Sequence, residues 1–210
     1  MRTAFNVMIG AAMLAMGTPA VAKEGAAAKE AAVAIDVAAE GLAPGKFVWN
    51  DPGTAEPVTV VVSLPLQRAY VFRGEAMVAA TAVSTGTDDK PTPTGVFPIL
   101  QKAEKHRSNL YDASMPYMQR LTWDGIALHA GRNPGYPASH GCIRLPAAFA
   151  RKLFAVTGLG TTVVVTDQAF VDATLDPELL RMDEMRANEA QLAALRDSAG
   201  ERKPVLIAGN

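Results

Sequence analysis

Residues 58–64 read Val-Thr-Val-Val-Val-Ser-Leu, a nearly unbroken run of β-branched side chains. Branching at Cβ costs rotamer freedom on a helix and packs well on a pleated surface, so the run predicts a strand. Pro65 interrupts it, residues 68–72 resume the pattern, and Arg73-Gly74-Glu75 turns the chain into residues 76–84. Three consecutive antiparallel strands are expected from this. Residues 94–100 and 117–122 are two further strand candidates. Asp124-Gly125 is a two-residue hairpin signal leading into 126–129, and residues 161–165 close the β-rich part. One helix is expected after residue 145, with Pro146 at its first turn, Phe149, Leu153 and Phe154 at helical spacing, and Gly158 as its stop. A second is expected from Asp176-Pro177-Glu178 to about residue 199, carrying Leu179, Met182, Met185, Leu192 and Leu195 on an apolar stripe. The expected fold class is mainly β with a few helices, including one at the C-terminus.

The first 22 residues have the form of a signal peptide. Arg2 supplies a positive charge, residues 4–17 are apolar, and Ala20-Val21-Ala22 before Lys23 is a small-x-small cleavage signature. The apolar run is shorter than the about 20 residues a membrane span needs, so cleavage after Ala22 and delivery to the periplasm are expected. Residues 23–50 are rich in alanine and poor in large side chains, and read as a spacer, partly helical or disordered. A single domain over 51–167 and a helical tail over 168–210 complete the expected organisation. The net charge is −1, with no basic block and no interleaving of basic and aromatic residues. Nucleic acid and anionic membrane surfaces are therefore poor partners, and a pocket is where function should be sought.

Cys142 is the only cysteine. A single thiol cannot form an internal disulfide, which leaves catalysis, an intermolecular bridge or a small buried hydrophobe. It sits in Ser139-His140-Gly141-Cys142-Ile143-Arg144, and His129 lies upstream in Leu128-His129-Ala130-Gly131 at an expected strand end. A thiol is mostly protonated at neutral pH and becomes a strong nucleophile when an imidazole takes its proton. His129 is the better base, because the loop 131–138 can fold back and bring the ring to the thiol. His140 either tunes the thiol or braces the loop. Gly141 permits close backbone approach, and the amides around Gly141 and Cys142 are candidate donors to an oxyanion. Duller readings exist for each: an inert thiol, a core histidine at 129, a solvated arginine at 132 or 144, a packing tyrosine at 117. His106, in a charged stretch, reads as a surface residue, and Asp88, Asp89 and Lys90 as a solvated loop.

The segment from Met115-Pro116-Tyr117 through Leu128-His129-Ala130-Gly131 to Ser139-His140-Gly141-Cys142-Ile143-Arg144-Leu145-Pro146 resembles the L,D-transpeptidase catalytic domain, the YkuD family. Ser84-Thr85-Gly86 followed by Pro91-Thr92-Pro93-Thr94-Gly95-Val96-Phe97 is similar to the same family's strand-loop-strand. The resemblance covers roughly residues 57–166. It departs in two ways: the loop between His129 and Ser139 is shorter than in the best-known pattern, and Arg144 stands where many members carry Asn.

The resemblance implies an enzyme acting on peptidoglycan stem peptides without a cofactor or metal. Cys142 would attack the carbonyl at the L-centre of the third stem residue, expel the terminal D-residue and leave a thioester. A neighbouring stem as acceptor gives a 3→3 cross-link, an outer-membrane protein or lipoprotein gives a wall-anchored protein, and water gives an L,D-carboxypeptidase. His129 would act as base in both halves, with Ser139 and Gly141 shaping the loop and Arg144, Arg132 and Tyr117 binding substrate. Other classes fit less well. A zinc site on His129, His140 and Cys142 lacks further ligands. A papain-like peptidase places its Cys before its His. A wall-binding module without activity has no use for both His129 and Cys142.

Overall fold

The computed structural model describes residues 19–108, 112–169 and 174–181. Helix α1 (Pro19–Glu40) leads into strands β1 (Phe47–Trp49), β2 (Val58–Ser63), β3 (Arg68–Arg73), β4 (Ala76–Ala82) and β5 (Gly95–Pro98). Strands β6 (Gln101–Ala103), β7 (Met118–Arg120), β8 (Ala127–Ala130) and β9 (Ile143–Leu145) follow, then helix α2 (Ala147–Val156), strand β10 (Thr162–Thr166) and a 3₁₀ turn at Pro177–Arg181. A six-stranded sheet runs β1-β4-β3-β2-β10-β5, and a four-stranded sheet runs β6-β7-β8-β9. Among the described strands, β2–β10 and β8–β9 pair in parallel and the others antiparallel.

The valine run forms β2 because the large sheet is covered on both faces, so no position in it needs a polar side chain. Val60 and Val62 from β2, Ala69 and Val71 from β3, and Val163 and Val165 from β10 face the core between the two sheets. Their alternates Val61, Tyr70, Phe72 and Val164 face the opposite side, where Ala32, Ile35 and Ala39 of α1 cover them. Period-two alternation thus fills two separate cores from one sheet. Helix α2 closes the first core through Phe149, Ala150 and Leu153. Phe149 meets the ring edges of Phe47 at 5.6 Å and Trp49 at 5.3 Å.

Both helices end on a basic side chain from a distant strand. Arg68 donates to the carbonyls of Ala39 and Leu42 at 3.0 and 2.7 Å beyond α1. Lys102 donates to Phe154 and Thr157 carbonyls at 2.7 and 2.6 Å at the end of α2. Carbonyls at and just beyond a helix C-terminus lack the amides of a further turn, and a cation also suits the negative end of the helix dipole.

The expected strands are present, with three additions, β1, β6 and β9, each of three residues and too short to carry a pattern. The alanine-rich stretch 23–50, expected as a spacer partly helical or disordered, holds most of α1 and all of β1. α1 packs on the large sheet and β1 pairs with β4, so the packed unit begins well before residue 51. Small side chains are the reason: alanine adds little apolar area but lets a helix lie close to a sheet. α2 starts one residue after Pro146, which takes the N-cap position, and stops at Val156. Most of the expected signal peptide and of the C-terminal helix lies outside the described residues; Asp176 Oδ1 accepts from the Glu178 amide at 2.9 Å where the 3₁₀ turn begins.

Candidate active site

His129 and Cys142 are brought together by the pairing of β8 with β9. In that parallel ladder Leu128 lies opposite Ile143, His129 opposite Arg144, and Ala130 opposite Leu145. Leu128, Ile143 and Leu145 are fully buried in the core between the sheets. Strand alternation therefore turns His129 and Arg144 to the other face, together with Cys142, two positions before Arg144. β7 continues the face antiparallel to β8, with Met118 and Arg120 outward. His129, Cys142, Arg144, Met118 and Arg120 line one cavity of about 490 Å³, together with His106, Trp123, Asp124, Gly125, Arg132, Ser139 and His140.

His129 is 7% exposed. Its Nδ1 lies 2.8 Å from the Ala130 carbonyl. A carbonyl can only accept, so the neutral ring holds its proton on Nδ1 and keeps the lone pair on Nε2. Burial pushes the imidazole pKa below its usual value; the Ala130 hydrogen bond opposes this, and the charges of Arg144 and His106 add to it. Cys142 is half-buried and its Sγ donates to the Gly125 carbonyl at 3.3 Å. Burial pushes the thiol pKa up, against a backbone hydrogen bond from Ala127 and the charges of Arg144 and Arg120. Both shifts favour the uncharged pair, thiol and imidazole, over thiolate and imidazolium. Transfer of the thiol proton to His129 requires the S–H to turn away from Gly125.

The cysteine loop is held by hydroxyls. Ser139 Oγ donates to the Cys142 carbonyl at 2.5 Å and accepts from the Gly141 amide at 3.1 Å. Ser139 itself is fixed to the segment that follows β4, since its amide and that of Ala138 donate to the Thr85 carbonyl at 3.0 Å each. Arg144 exchanges backbone hydrogen bonds with Ser84 at 2.9 and 3.1 Å. Gly141 has φ +109°, a conformation a side chain resists, and a Cβ there would come within 2.7 Å of Ile126 Cδ1.

Three of the residues weighed in the sequence have surroundings set by the fold. The Gly141 amide is engaged by Ser139 and is not available as an oxyanion donor, so its glycine serves the turn. Tyr117 does not line the cavity; it lies one residue from Met118 on the alternating chain, and its ring meets Phe154 of α2 edge-on at 5.8 Å. His106 is half-buried and lines both this cavity and a second hollow of about 360 Å³. Arg120 was not singled out by the sequence at all; period-two spacing from Met118 in a strand paired to the His129 strand is the signal that finds it. Arg132 and His140 are exposed at the cavity mouth. Among the described residues no three His, Cys, Asp or Glu side chains gather as a metal site.

The family model for the L,D-transpeptidase catalytic domain, YkuD, matches residues 57–165, just over half of the chain. The chain belongs to the YkuD family. Among curated proteins nothing matches it. An L,D-transpeptidase (Yku) from Stackebrandtia nassauensis is 29% identical with a TM-score of 0.50, over 54% of this chain and 57% of that one. An L,D-transpeptidase solved in complex with imipenem is 23% identical with a TM-score of 0.51, over 54% of this chain and 60% of that one. L,D-transpeptidase 1 of Mycobacterium tuberculosis is 24% identical with a TM-score of 0.48, over 52% and 62%. This YkuD chain thus spans 57–62% of the length of these solved structures. The mainly β architecture and the order of the histidine and cysteine segments belong to the matched part.

Proposed function

We propose that this chain is an exported acyltransferase that works on peptidoglycan stem peptides as an L,D-transpeptidase, with Cys142 as nucleophile and His129 as base. One observation carries the reading: the chain's only thiol and a buried imidazole with its lone pair on Nε2 line the same cavity on paired strands of a YkuD domain. His129 Nε2 takes the thiol proton as Sγ attacks the carbonyl of the third stem residue. The oxyanion accepts from backbone amides of the cysteine loop, Cys142 among them. The C–N bond breaks, the departing D-residue amine takes the proton from His129, and a thioester to Cys142 remains. An acceptor amine then attacks, His129 takes its proton, and the thiol is regenerated. General acid-base help of this kind is worth about 10² to 10⁴ in rate.

Arg144 and Arg132 bind the carboxylates of the stem, since a planar guanidinium suits bidentate recognition. His140, at the mouth, borders the path by which either peptide enters. Ser139 keeps the loop in shape. Residues 1–22 direct the chain to the periplasm, with cleavage after Ala22, where a second stem, an outer-membrane protein or a lipoprotein supplies the amine.

Incubation of the mature protein with tetrapeptide-bearing muropeptides, read by mass, tests the reading. Dimers lacking one D-residue mark transpeptidation, and tripeptides alone mark the carboxypeptidase reading with water as acceptor. Unchanged tetrapeptides, with no thioester on Cys142, would remove the proposed activity.

A further inference from the structure

The loop carrying Cys142 is tied to a distant hydroxyl that the mechanism above does not use. Thr92 is 4% exposed. Its Oγ1 accepts from the Gly86 amide at 2.9 Å and donates to the Gly141 carbonyl at 2.8 Å. The approach is close: a Cβ on Gly86 would fall 2.1 Å from the Lys90 carbonyl oxygen, 2.7 Å from the Thr92 nitrogen and 2.9 Å from Gly141 Cα. Gly86 is in turn anchored through its neighbour, since Gln67 accepts from the Thr85 amide at 3.0 Å and donates to Thr85 Oγ1 at 2.7 Å.

The Gly141 carbonyl and the Cys142 N–H belong to one peptide unit. In a trans peptide these two groups point in opposite directions in one plane, and no cis peptide occurs among the described residues. Holding the carbonyl on Thr92 therefore aims the Cys142 N–H away from Thr92. The Gly141 amide and the Cys142 carbonyl are already held by Ser139 Oγ. We propose that Thr92 is a positioning residue that orients the Cys142 amide as donor to the oxyanion formed during acyl transfer. This rests on the proposed thioester chemistry.

The test separates reactions that form an oxyanion from those that do not. Attack of Cys142 on the carbonyl of imipenem forms one; alkylation by iodoacetamide, a displacement at a saturated carbon, does not. Thr92→Val keeps shape and removes both hydrogen bonds, and should slow acylation about tenfold or more, since loss of an oxyanion donor costs about 10² to 10³ and misalignment costs part of that. Iodoacetamide alkylation should stay near the parent although the thermal midpoint falls, because the Gly86 amide and the Gly141 carbonyl lose their partner, and Thr92→Ser should restore acylation. Thr92→Ala is the same test should valine not fold. A parallel fall in acylation and alkylation would make Thr92 a loop strut and overturn the proposal, as would unchanged acylation or a serine variant that fails to recover. Failure of the parent protein to be acylated at all would instead strike the proposed function.

Discussion

The two sheets of this molecule divide its labour by how many faces each buries. The six-stranded sheet is covered by α1 on one side and by the other sheet with α2 on the opposite side. Its central strands of five to seven residues carry apolar side chains on both faces, with most of their polar residues at the strand ends. The four-stranded sheet has strands of three or four residues, one face in the core and the other lining the cavity. The proposed chemistry sits on the thin sheet because a face that need not be apolar can carry His129, Arg120 and Arg144. The thick sheet contributes rigidity, handed across through Ser84, Thr85 and Thr92 by backbone and hydroxyl hydrogen bonds to the cysteine loop. A substitution in the thick sheet should cost stability and one in the thin sheet should cost reactivity.

The largest expected effect is at the proposed nucleophile. Cys142→Ala should abolish thiol labelling and transpeptidation while the thermal midpoint stays near the parent; turnover well above background would break the assignment of chemistry to the thin sheet. Next is the base. His129→Ala should slow acylation by about 10² to 10⁴, read by mass on Cys142, whereas His140→Ala should do less to both chemistry and stability, because His140 is exposed and Ser139 braces the loop. Reversed effects would exchange the two roles.

A core substitution gives the opposite signature. Phe149→Ala removes a buried ring held between Phe47 and Trp49 and should cost about 3 to 5 kcal/mol in denaturant unfolding. Alkylation of the remaining folded protein should proceed as in the parent. A loss of reactivity without loss of stability would show that the division between sheets is wrong.

The pH dependence follows from the two shifts. Burial lowers the His129 pKa from 6.5, so the neutral base persists below that value and acylation should fall only as pH drops through the lowered pKa. The sign for folding is the same: the neutral ring contributes stability that is present above pH 6.5 and lost as pH falls towards the folded-state value. Burial raises the Cys142 pKa above 9.0, so alkylation of His129→Ala should climb only above pH 9. An acid limb above pH 6.5, or a thiolate formed at neutral pH in that variant, would contradict the burial of the pair.

The smallest expected effect is at Arg144. A charge-assisted contact contributes roughly 1.5 to 3 kcal/mol, and Arg144→Lys keeps the charge but loses the planar fork. Acyl-donor use should weaken about tenfold with iodoacetamide alkylation nearly unchanged. A parallel fall in both would instead assign Arg144 to shaping the loop, where its backbone is bonded to Ser84 and its stem lies against Gly131.

Local chemistry determined much of this before any coordinates. The β-branched run of β2, the Asp124-Gly125 hairpin and the stop of α2 are effects of neighbouring residues on backbone preference, so the sequence alone carries them. The single thiol and the order of His129, His140 and Cys142 are likewise facts of the chain. Other properties depended on which face each strand turns inward. That choice put Tyr117 on α2 and Met118 and Arg120 on the cavity, because a side chain's surroundings are set by strands it is not bonded to. The fate of the Gly141 amide, the place of His106, the packing of an alanine-rich helix on the large sheet, and the contact between Thr92 and the cysteine loop are of the same kind. Apart from the Gly141 amide, which a turn of two residues brings onto Ser139, each joins segments tens of residues apart, and a hydrogen bond or a buried face of that span leaves no periodic trace in the sequence.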